Sequence, residues 1–112
     1  MKIAFTAKGN HWDSQIDPRF GRAEYLVFYN EETDKLEVVD NTAIKQEAHG
    51  AGPKTAQLLL ENQPRVLITG NGPGGNAATV LERGKIEIFT GADNLTIKEA
   101  YDKYKKEELT KF

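Results

Sequence analysis

Three consecutive apolar residues, Val66-Leu67-Ile68, lie between Pro64 and Gly70 and constrain the fold more than any other feature of the sequence. They form the centre of a predicted strand. A strand that is apolar at every position is buried on both faces, and such strands are typical of parallel sheets covered by helices. The run therefore predicts an α/β protein whose sheet is at least partly parallel.

Four further segments have the composition of strands. The first alternates polar and apolar side chains, and the third places Leu36 and Val38 on one face and Val39 on the other. A short turn over 30–34 joins the second and third strands as a hairpin. All five strands are predicted at Lys2–Ala7, Glu24–Tyr29, Lys35–Asp40, Arg65–Thr69 and Lys85–Phe89.

Three helices are predicted from their start signals. Pro53 suits the first position of a helix that ends before the next proline. Asn76 is predicted to cap a second helix, which ends at Gly84. A capping-box sequence over 96–99 starts the third, and residues 101–112 are predicted to form a solvated helix face and a frayed tail. The order βββαβαβα indicates a mixed five-stranded sheet with helices packed on it.

Composition excludes several kinds of function. The 112 residues carry a formal net charge of −2, without the basic excess that non-specific nucleic-acid binding requires, so we expect no nucleic-acid partner. The absence of cysteine excludes a disulfide, a thiolate nucleophile and a cysteine-ligated metal site. No apolar run approaches the roughly 18–20 residues of a membrane span, and the amino terminus does not resemble a signal peptide. We expect a single cytoplasmic domain over 1–112, either monomeric or weakly dimeric.

The predicted topology brings the irregular segments together. If the first, fourth and fifth strands are parallel, and the second lies antiparallel beside the first, four segments leave the same edge of the sheet. These segments span 8–23, 41–52, 70–76 and 90–95, and they contain both histidines. Ligands of open α/β sheets bind outside the carboxyl ends of the strands, so this edge is the predicted binding site.

Six short motifs together cover nearly the whole chain. They lie at Met1–Ala4, Asp17–Ala23, Asn41–Ala43, His49–Gly52, Gly72–Ala77 and Gly84–Ile86. They resemble motifs of the dinitrogenase iron–molybdenum cofactor biosynthesis family, which includes NifX, NafY and the C-terminal domain of NifB, and the Phe20–Ala23 segment is the most specific of them. The chain is most similar to the small stand-alone members of that family.

The resemblance implies a fold and a function. The fold is a three-layer, ribonuclease H-like α/β fold with sheet order 3-2-1-4-5. The function is non-enzymatic carriage or insertion of an anionic metal–sulfur cofactor, of the iron–molybdenum or iron–sulfur type. A cofactor-assembly or nitrogenase-like protein is the implied partner. Family members often have a histidine before glycine where this chain has His49-Gly50, so His49 is the implied metal ligand. Because the chain lacks cysteine, we expect transient binding.

Each histidine has a functional and a purely structural interpretation. A neutral imidazole at position 49 could bind iron, zinc or nickel beside a helix terminus that favours anions. His49 could equally cap that helix or lie in solvent. His11 has Asp13 two residues later and Asp17 in the same loop, and this set could complete a metal site. Alternatively, His11 lies in a mobile, solvated loop.

Two arginines and a glycine-rich loop are the candidates for contacts to an anion. Arg19 and Arg22 could clamp an anionic cofactor through their guanidinium groups, or Arg22 could pair with a nearby carboxylate. Between them, Phe20 is predicted to fill the core and Gly21 to permit a turn. The loop after the fourth strand could present backbone N–H groups to an anion. The cofactor-binding candidates in this loop are Gly72, Gly74, Gly75 and Asn76. Gly50, the residue after His49, is a further candidate.

Other activities fit the sequence less well. The loop matches G-x-G-x-x-G, but Pro73 lies within it and too little chain follows for a second nucleotide-binding half. The first strand has no acidic residue for nuclease chemistry, and no motif surrounds Ser14, the sole serine, to make it a nucleophile. The alternative is a regulatory or interaction domain that binds a partner or a small anion without metal, with the third strand as an open edge.

Overall fold

The computed structural model describes residues 1–47 and 49–112. Six strands and four helices follow one another within these described residues. They are β1 (Lys2–Ala7), β2 (Tyr25–Asn30), β3 (Lys35–Asp40), α1 (Thr42–Lys45), α2 (Ala51–Glu61), β4 (Val66–Ile68), α3 (Gly75–Arg83), β5 (Glu87–Thr90), α4 (Ile97–Lys105) and β6 (Thr110–Lys111).

All six strands form one mixed sheet in the order β3-β2-β1-β4-β5-β6. β4 pairs in parallel with β1 on one side and with β5 on the other. β2, β3 and β6 run antiparallel to their neighbours. The mixed α/β class and the order of the first five strands are therefore as predicted.

The sheet lies between two layers of helix because successive side chains of its central strand point to opposite faces. Ile3 and Phe5 of β1 belong to a core that includes Ile97 of α4. Ala4, between them, belongs to a second core that includes Leu59 of α2 and Leu81 of α3. β4 is buried at all three positions, as its continuous apolar run predicts.

The carboxyl-terminal residues correct the prediction of a frayed tail. β6 pairs with β5, and the backbone N–H of Phe112 donates to the carbonyl oxygen of Ile88 over 2.8 Å. The sheet therefore has six strands instead of five. A two-residue exposed strand has no apolar alternation to reveal it, and its pairing depends on the open edge of β5.

Two helix starts also differ from the prediction. α2 begins at Ala51, so Pro53 is its third residue; a proline is tolerated there because the first-turn N–H groups have no acceptor within the helix. α3 begins at Gly75 with Gly74 as its N-cap, so Asn76 lies inside the helix and does not cap it. α1 is a single helical turn within the segment predicted to be irregular.

β5 starts at Glu87, two residues later than predicted, because Lys85 has a φ of 58° and this left-handed conformation interrupts an extended strand. The capping box of α4 is confirmed: Thr96 accepts from the N–H of Glu99, and Glu99 accepts from the N–H of Thr96. No helix among the described residues is both long and apolar enough to cross a membrane.

Candidate functional site

The carboxyl ends of the parallel strands define one edge of the sheet, called here the carboxyl edge. The loops that follow β1, β3, β4 and β5 all lie there. From β1 the chain crosses to β2 on one side, whereas from β4 it passes through α3 to β5 on the other. The β1–β4 boundary is thus a topological switch point, which is where open α/β sheets form a crevice.

Two buried threonines lie in contact at this switch point. The hydroxyl oxygens of Thr6, in β1, and Thr69, after β4, are 2.7 Å apart. Thr6 also donates to the carbonyl oxygen of Asp17 over 2.8 Å, and the N–H of Asp17 donates back to the Thr6 carbonyl over 2.9 Å. Because the Thr6 proton is used on Asp17, the Thr69 hydroxyl donates to Thr6. The 8–23 loop is therefore anchored to β1 at Asp17.

The loops pack against one another through glycines. A Cβ on Gly70 would lie 2.6 Å from the Cα of Pro18, and the N–H of Asn71 donates to the Pro18 carbonyl over 2.8 Å. A Cβ on Gly21 would lie 2.8 Å from the backbone of Gly52 in α2. Gly21 is therefore required by a close backbone approach. These contacts fix the carboxyl edge before any ligand binds.

The first turns of α2 and α3 lie side by side at this edge, since a Cβ on Gly52 would come within 3.6 Å of the Cβ of Ala77. Among the described residues, neither turn contains an acidic residue or receives a side-chain hydrogen bond from its N-cap. The first N–H groups of a helix have no acceptor within it and carry partial positive charge. Two such turns together make a surface that suits an anion.

The glycines of these turns leave the backbone accessible. Among the described residues, a Cβ on Gly74 or Gly75 would meet no atom within 4 Å, so packing against them does not require glycine at either position. Gly50, the N-cap of α2, has a φ of 76°, a conformation that favours glycine. Gly72 differs, because a Cβ there would lie 2.1 Å from the Phe112 ring. The carboxyl-terminal ring therefore covers this part of the loop.

The two histidines lie on different sides of the sheet. His49 is exposed and immediately precedes the N-cap of α2. His11 is also exposed, but its neighbour Trp12 is half-buried on the α4 side, with its ring centroid 4.7 Å from that of Tyr29. Within residues 1–47 and 49–112, no three His, Cys, Asp or Glu side chains are grouped so that they could hold a metal ion.

The two arginines have different partners. The Nε and Nη2 atoms of Arg19 donate to the two carboxylate oxygens of Asp17 over 3.2 and 3.3 Å. This hydrogen-bonded carboxylate raises the pKa of the Arg19 guanidinium. Arg22 instead donates through Nη1 to the carbonyl oxygens of Lys45 and Glu47, and so holds the segment after α1. The carboxylate of Asp17 is therefore engaged by Arg19, whereas the prediction grouped it with His11.

Two residues at this edge have contacts that the sequence does not predict. Asp17, predicted beside His11 and within the motif Asp17–Ala23, pairs with Arg19, and Phe112, predicted in a frayed tail, lies against Gly72. The order Asp17-Pro18-Arg19 could have suggested the contact of Asp17 with Arg19, because an aspartate often accepts a hydrogen bond from the backbone N–H two residues later. No local signal could have placed Phe112 against Gly72.

Comparisons with known proteins agree with this architecture. The family model described as "Dinitrogenase iron-molybdenum cofactor" matches residues 1–107. The apo form of the orange protein from Desulfovibrio gigas is 34% identical, with a TM-score of 0.93 over 99% of this chain and 92% of that chain. The Thermotoga protein TM1290, provisionally described as a NifB protein of the DUF35 family, is 33% identical, with a TM-score of 0.84 over 98% of this chain and 91% of that chain.

A third solved structure, PH0822, shares the fold, with a TM-score of 0.75 at 22% identity over 100% of this chain and 96% of that chain. No curated protein sequence matches significantly. The family match spans nearly the whole chain and agrees with the motifs identified in the sequence. This chain therefore belongs to the dinitrogenase iron–molybdenum cofactor family.

Proposed function

We propose that this protein is a non-enzymatic carrier that holds an anionic metal–sulfur cluster, as cargo, at the carboxyl edge between the first turns of α2 and α3. One observation carries the proposal: two helix amino termini lie side by side there with glycine N-caps and no acidic residue in either first turn. Each terminus is equivalent to roughly half a positive charge, so together they favour a multiply charged anion.

The donor set suits cargo better than a resident cofactor. His49 is the histidine that lies beside the α2 amino terminus, and the sequence has no cysteine. A single imidazole and backbone N–H groups can hold a cluster through one metal bond and several hydrogen bonds. Permanent metal–sulfur sites are instead built from several protein ligands. Transient binding is what handover to an assembly partner requires.

The family supports the chemical class of the cargo. Its description names the iron–molybdenum cofactor, and TM1290 carries a provisional NifB description. We propose an iron–molybdenum or iron–sulfur cluster as the cargo and a cofactor-assembly or nitrogenase-like protein in the cytoplasm as the partner.

A ribonuclease H-like topology remains a proposal for the fold, and the acid-free β1 argues against ribonuclease H-type chemistry.

Anaerobic reconstitution tests the proposal. The protein is incubated with iron, sulfide and molybdate, desalted, and assayed for retained metal. We expect wild-type protein to retain molybdenum or iron, His49→Ala to retain much less, and His11→Ala to retain as much as wild type. His11→Ala is the matched control because it removes the other exposed imidazole. Equal retention by both variants would overturn the ligand role of His49, and no retention by wild type would overturn the carrier proposal.

A second function is favoured by the open edge at β3. This strand is six residues long, has a neighbour on one side only, and exposes Val38. Such an edge can accept a strand from a partner. Co-purification of a partner protein without metal, abolished by Val38→Pro, would favour an interaction domain over a carrier.

A further inference from the structure

Asp17 is the only acidic or basic residue in the described part of the chain that is fully buried. Transfer of a carboxylate out of water is unfavourable unless its oxygens are paired and hydrogen-bonded. Buried charges in proteins are therefore found paired or hydrogen-bonded. The geometry around Asp17 identifies its partner.

The Asp17 carboxylate accepts three hydrogen bonds, all from Arg19. The backbone N–H and Nε bind Oδ1 over 3.0 and 3.2 Å, and Nη2 binds Oδ2 over 3.3 Å. The Arg19 side chain is nevertheless 60% exposed, whereas that of Asp17 is 1% exposed. A guanidinium group has five N–H donors, and this pairing uses two of them. Arg19 is thus fixed in position and keeps three donors for a ligand.

Main-chain contacts attach this pair to the switch point. Asp17 forms a reciprocal pair of hydrogen bonds with Thr6 of β1. Pro18, between the two paired residues, accepts from Asn71 and packs against Gly70. The guanidinium is therefore held relative to both β1 and the glycine-rich loop that leads into α3.

We infer that Asp17 is a positioning residue, which holds the Arg19 guanidinium as a fixed anion receptor at the edge of the cargo site. The inference rests on the proposed function. It also assigns different roles to the two arginines, because Arg22 uses Nη1 to hold the carbonyl groups of residues 45 and 47.

The sign of one effect separates positioning from simple electrostatics. Removal of a negative charge near an anion site strengthens anion binding if only net charge matters. Asp17→Asn removes that charge but keeps the shape of the side chain and one acceptor for the Arg19 backbone. It cannot bind the guanidinium through two carboxylate oxygens. Weaker anion binding by this variant would therefore identify a positioning role.

The experiment uses tetrathiomolybdate, a molybdenum–sulfur dianion, as the probe, with affinity measured by calorimetry at several salt concentrations. We expect Arg19→Ala to bind about tenfold more weakly and with a reduced salt dependence, because a charge-assisted contact is lost. Asp17→Asn is expected to bind at least about threefold more weakly, whereas Asp13→Asn, which removes an exposed charge from the same loop, binds equally or slightly more tightly.

Arg19→Lys keeps both Asp17 and the positive charge but loses the planar fork, so we expect weaker binding here too. This variant keeps the inference testable if Asp17→Asn fails to fold, which near-ultraviolet circular dichroism will reveal. Unchanged or tighter binding by folded Asp17→Asn, or full affinity in Arg19→Lys, would overturn the positioning role alone. Failure of the wild-type protein to bind the probe would overturn the proposed function as well.

Discussion

The hydroxyl groups of Thr6 and Thr69 meet at 2.7 Å across the carboxyl ends of β1 and β4. Both residues are fully buried, and the Thr6 hydroxyl also donates to the carbonyl oxygen of Asp17. This contact joins the two strands at the topological switch point. It also links the strands to the loop that presents Arg19.

Thr69→Val is expected to destabilise the protein. The valine fits the space but leaves the Thr6 oxygen without its donor, which costs about 1–3 kcal/mol when the group is buried. Urea unfolding measures the loss. Thr79→Val is the control, because that hydroxyl is exposed and bonds only within α3. Equal unfolding free energies for the two variants would contradict the structural role of the Thr6–Thr69 contact.

Substitution by alanine is expected to have different effects at Gly70, in the glycine-rich loop after β4, and at Gly75, the first residue of α3. Gly70→Ala places a Cβ 2.6 Å from the Cα of Pro18, so we expect a loss of about 1–3 kcal/mol in unfolding free energy. The methyl group of Gly75→Ala meets no atom of residues 1–47 and 49–112 within 4 Å, and the position is the first of a helix, so stability is expected to stay equal or rise by up to about 1 kcal/mol.

The same Gly75→Ala variant tests the cargo site without a loss of stability. Its methyl group covers part of the open backbone at the α3 amino terminus, so retention of molybdenum and iron after reconstitution is expected to fall. Full retention by Gly75→Ala would place the cluster elsewhere.

Acid is expected to weaken the contact between Glu31 and α4. The hydrogen bond from Tyr101, over 2.6 Å, and a weaker contribution from Lys105 lower the pKa of Glu31, despite the opposing effect of burial. A carboxyl group with a lowered pKa in the folded state stabilises the protein above its unfolded pKa. That contribution is lost as the pH falls through the folded pKa.

Glu31→Gln is therefore expected to reduce the stability difference between pH 7 and about pH 3. The Glu31 side chain is 21% exposed, whereas that of Glu32, which also lies near the terminal ammonium group, is 82% exposed. Glu32→Gln is accordingly expected to leave the pH dependence of unfolding close to that of the wild type. Identical pH profiles for Glu31→Gln and the wild-type protein would show that the pairing with Tyr101 adds nothing.

Phe112→Ala is expected to loosen the glycine-rich loop more than it destabilises the fold. The ring is 57% exposed, so its removal is expected to cost at most about 1 kcal/mol. The ring nevertheless lies directly on Gly72, and hydrogen exchange of the Gly72 amide is expected to accelerate. Protection at Leu67, in the buried β4, serves as the reference. An unchanged Gly72 exchange rate would show that Phe112 does not restrain the loop.

Local chemistry explains what could be predicted. The continuous apolar run predicted a strand buried on both faces, and β4 is one. The alternation over Leu36, Val38 and Val39 predicted β3, and the capping-box sequence at Thr96 predicted the start of α4. These signals depend on residues within one turn or one strand. The parallel order of the strands then brought the four loops to one edge.

Asn76 and the carboxyl-terminal residues mark the limit of such signals. Asn76 is a good capping residue, yet α3 starts earlier, at Gly75. β6 pairs only because β5 offers an open edge, and Phe112 then reaches Gly72. The β6 pairing and the Phe112 contact have no local pattern, since each depends on residues distant in the chain.

The sequence by itself determined the family, the α/β class and the edge of the sheet at which the irregular loops gather, because periodicity and short motifs are properties of neighbouring residues. Only the tertiary structure decided which side chains meet there. It placed His49 and His11 on different sides of the sheet. Arg22 donates hydrogen bonds to loop carbonyl groups, whereas exposed Arg19 forms an ion pair with buried Asp17. Burial and hydrogen-bond geometry arise when the loops pack together, and loop packing leaves no periodic sequence pattern from which it could be predicted.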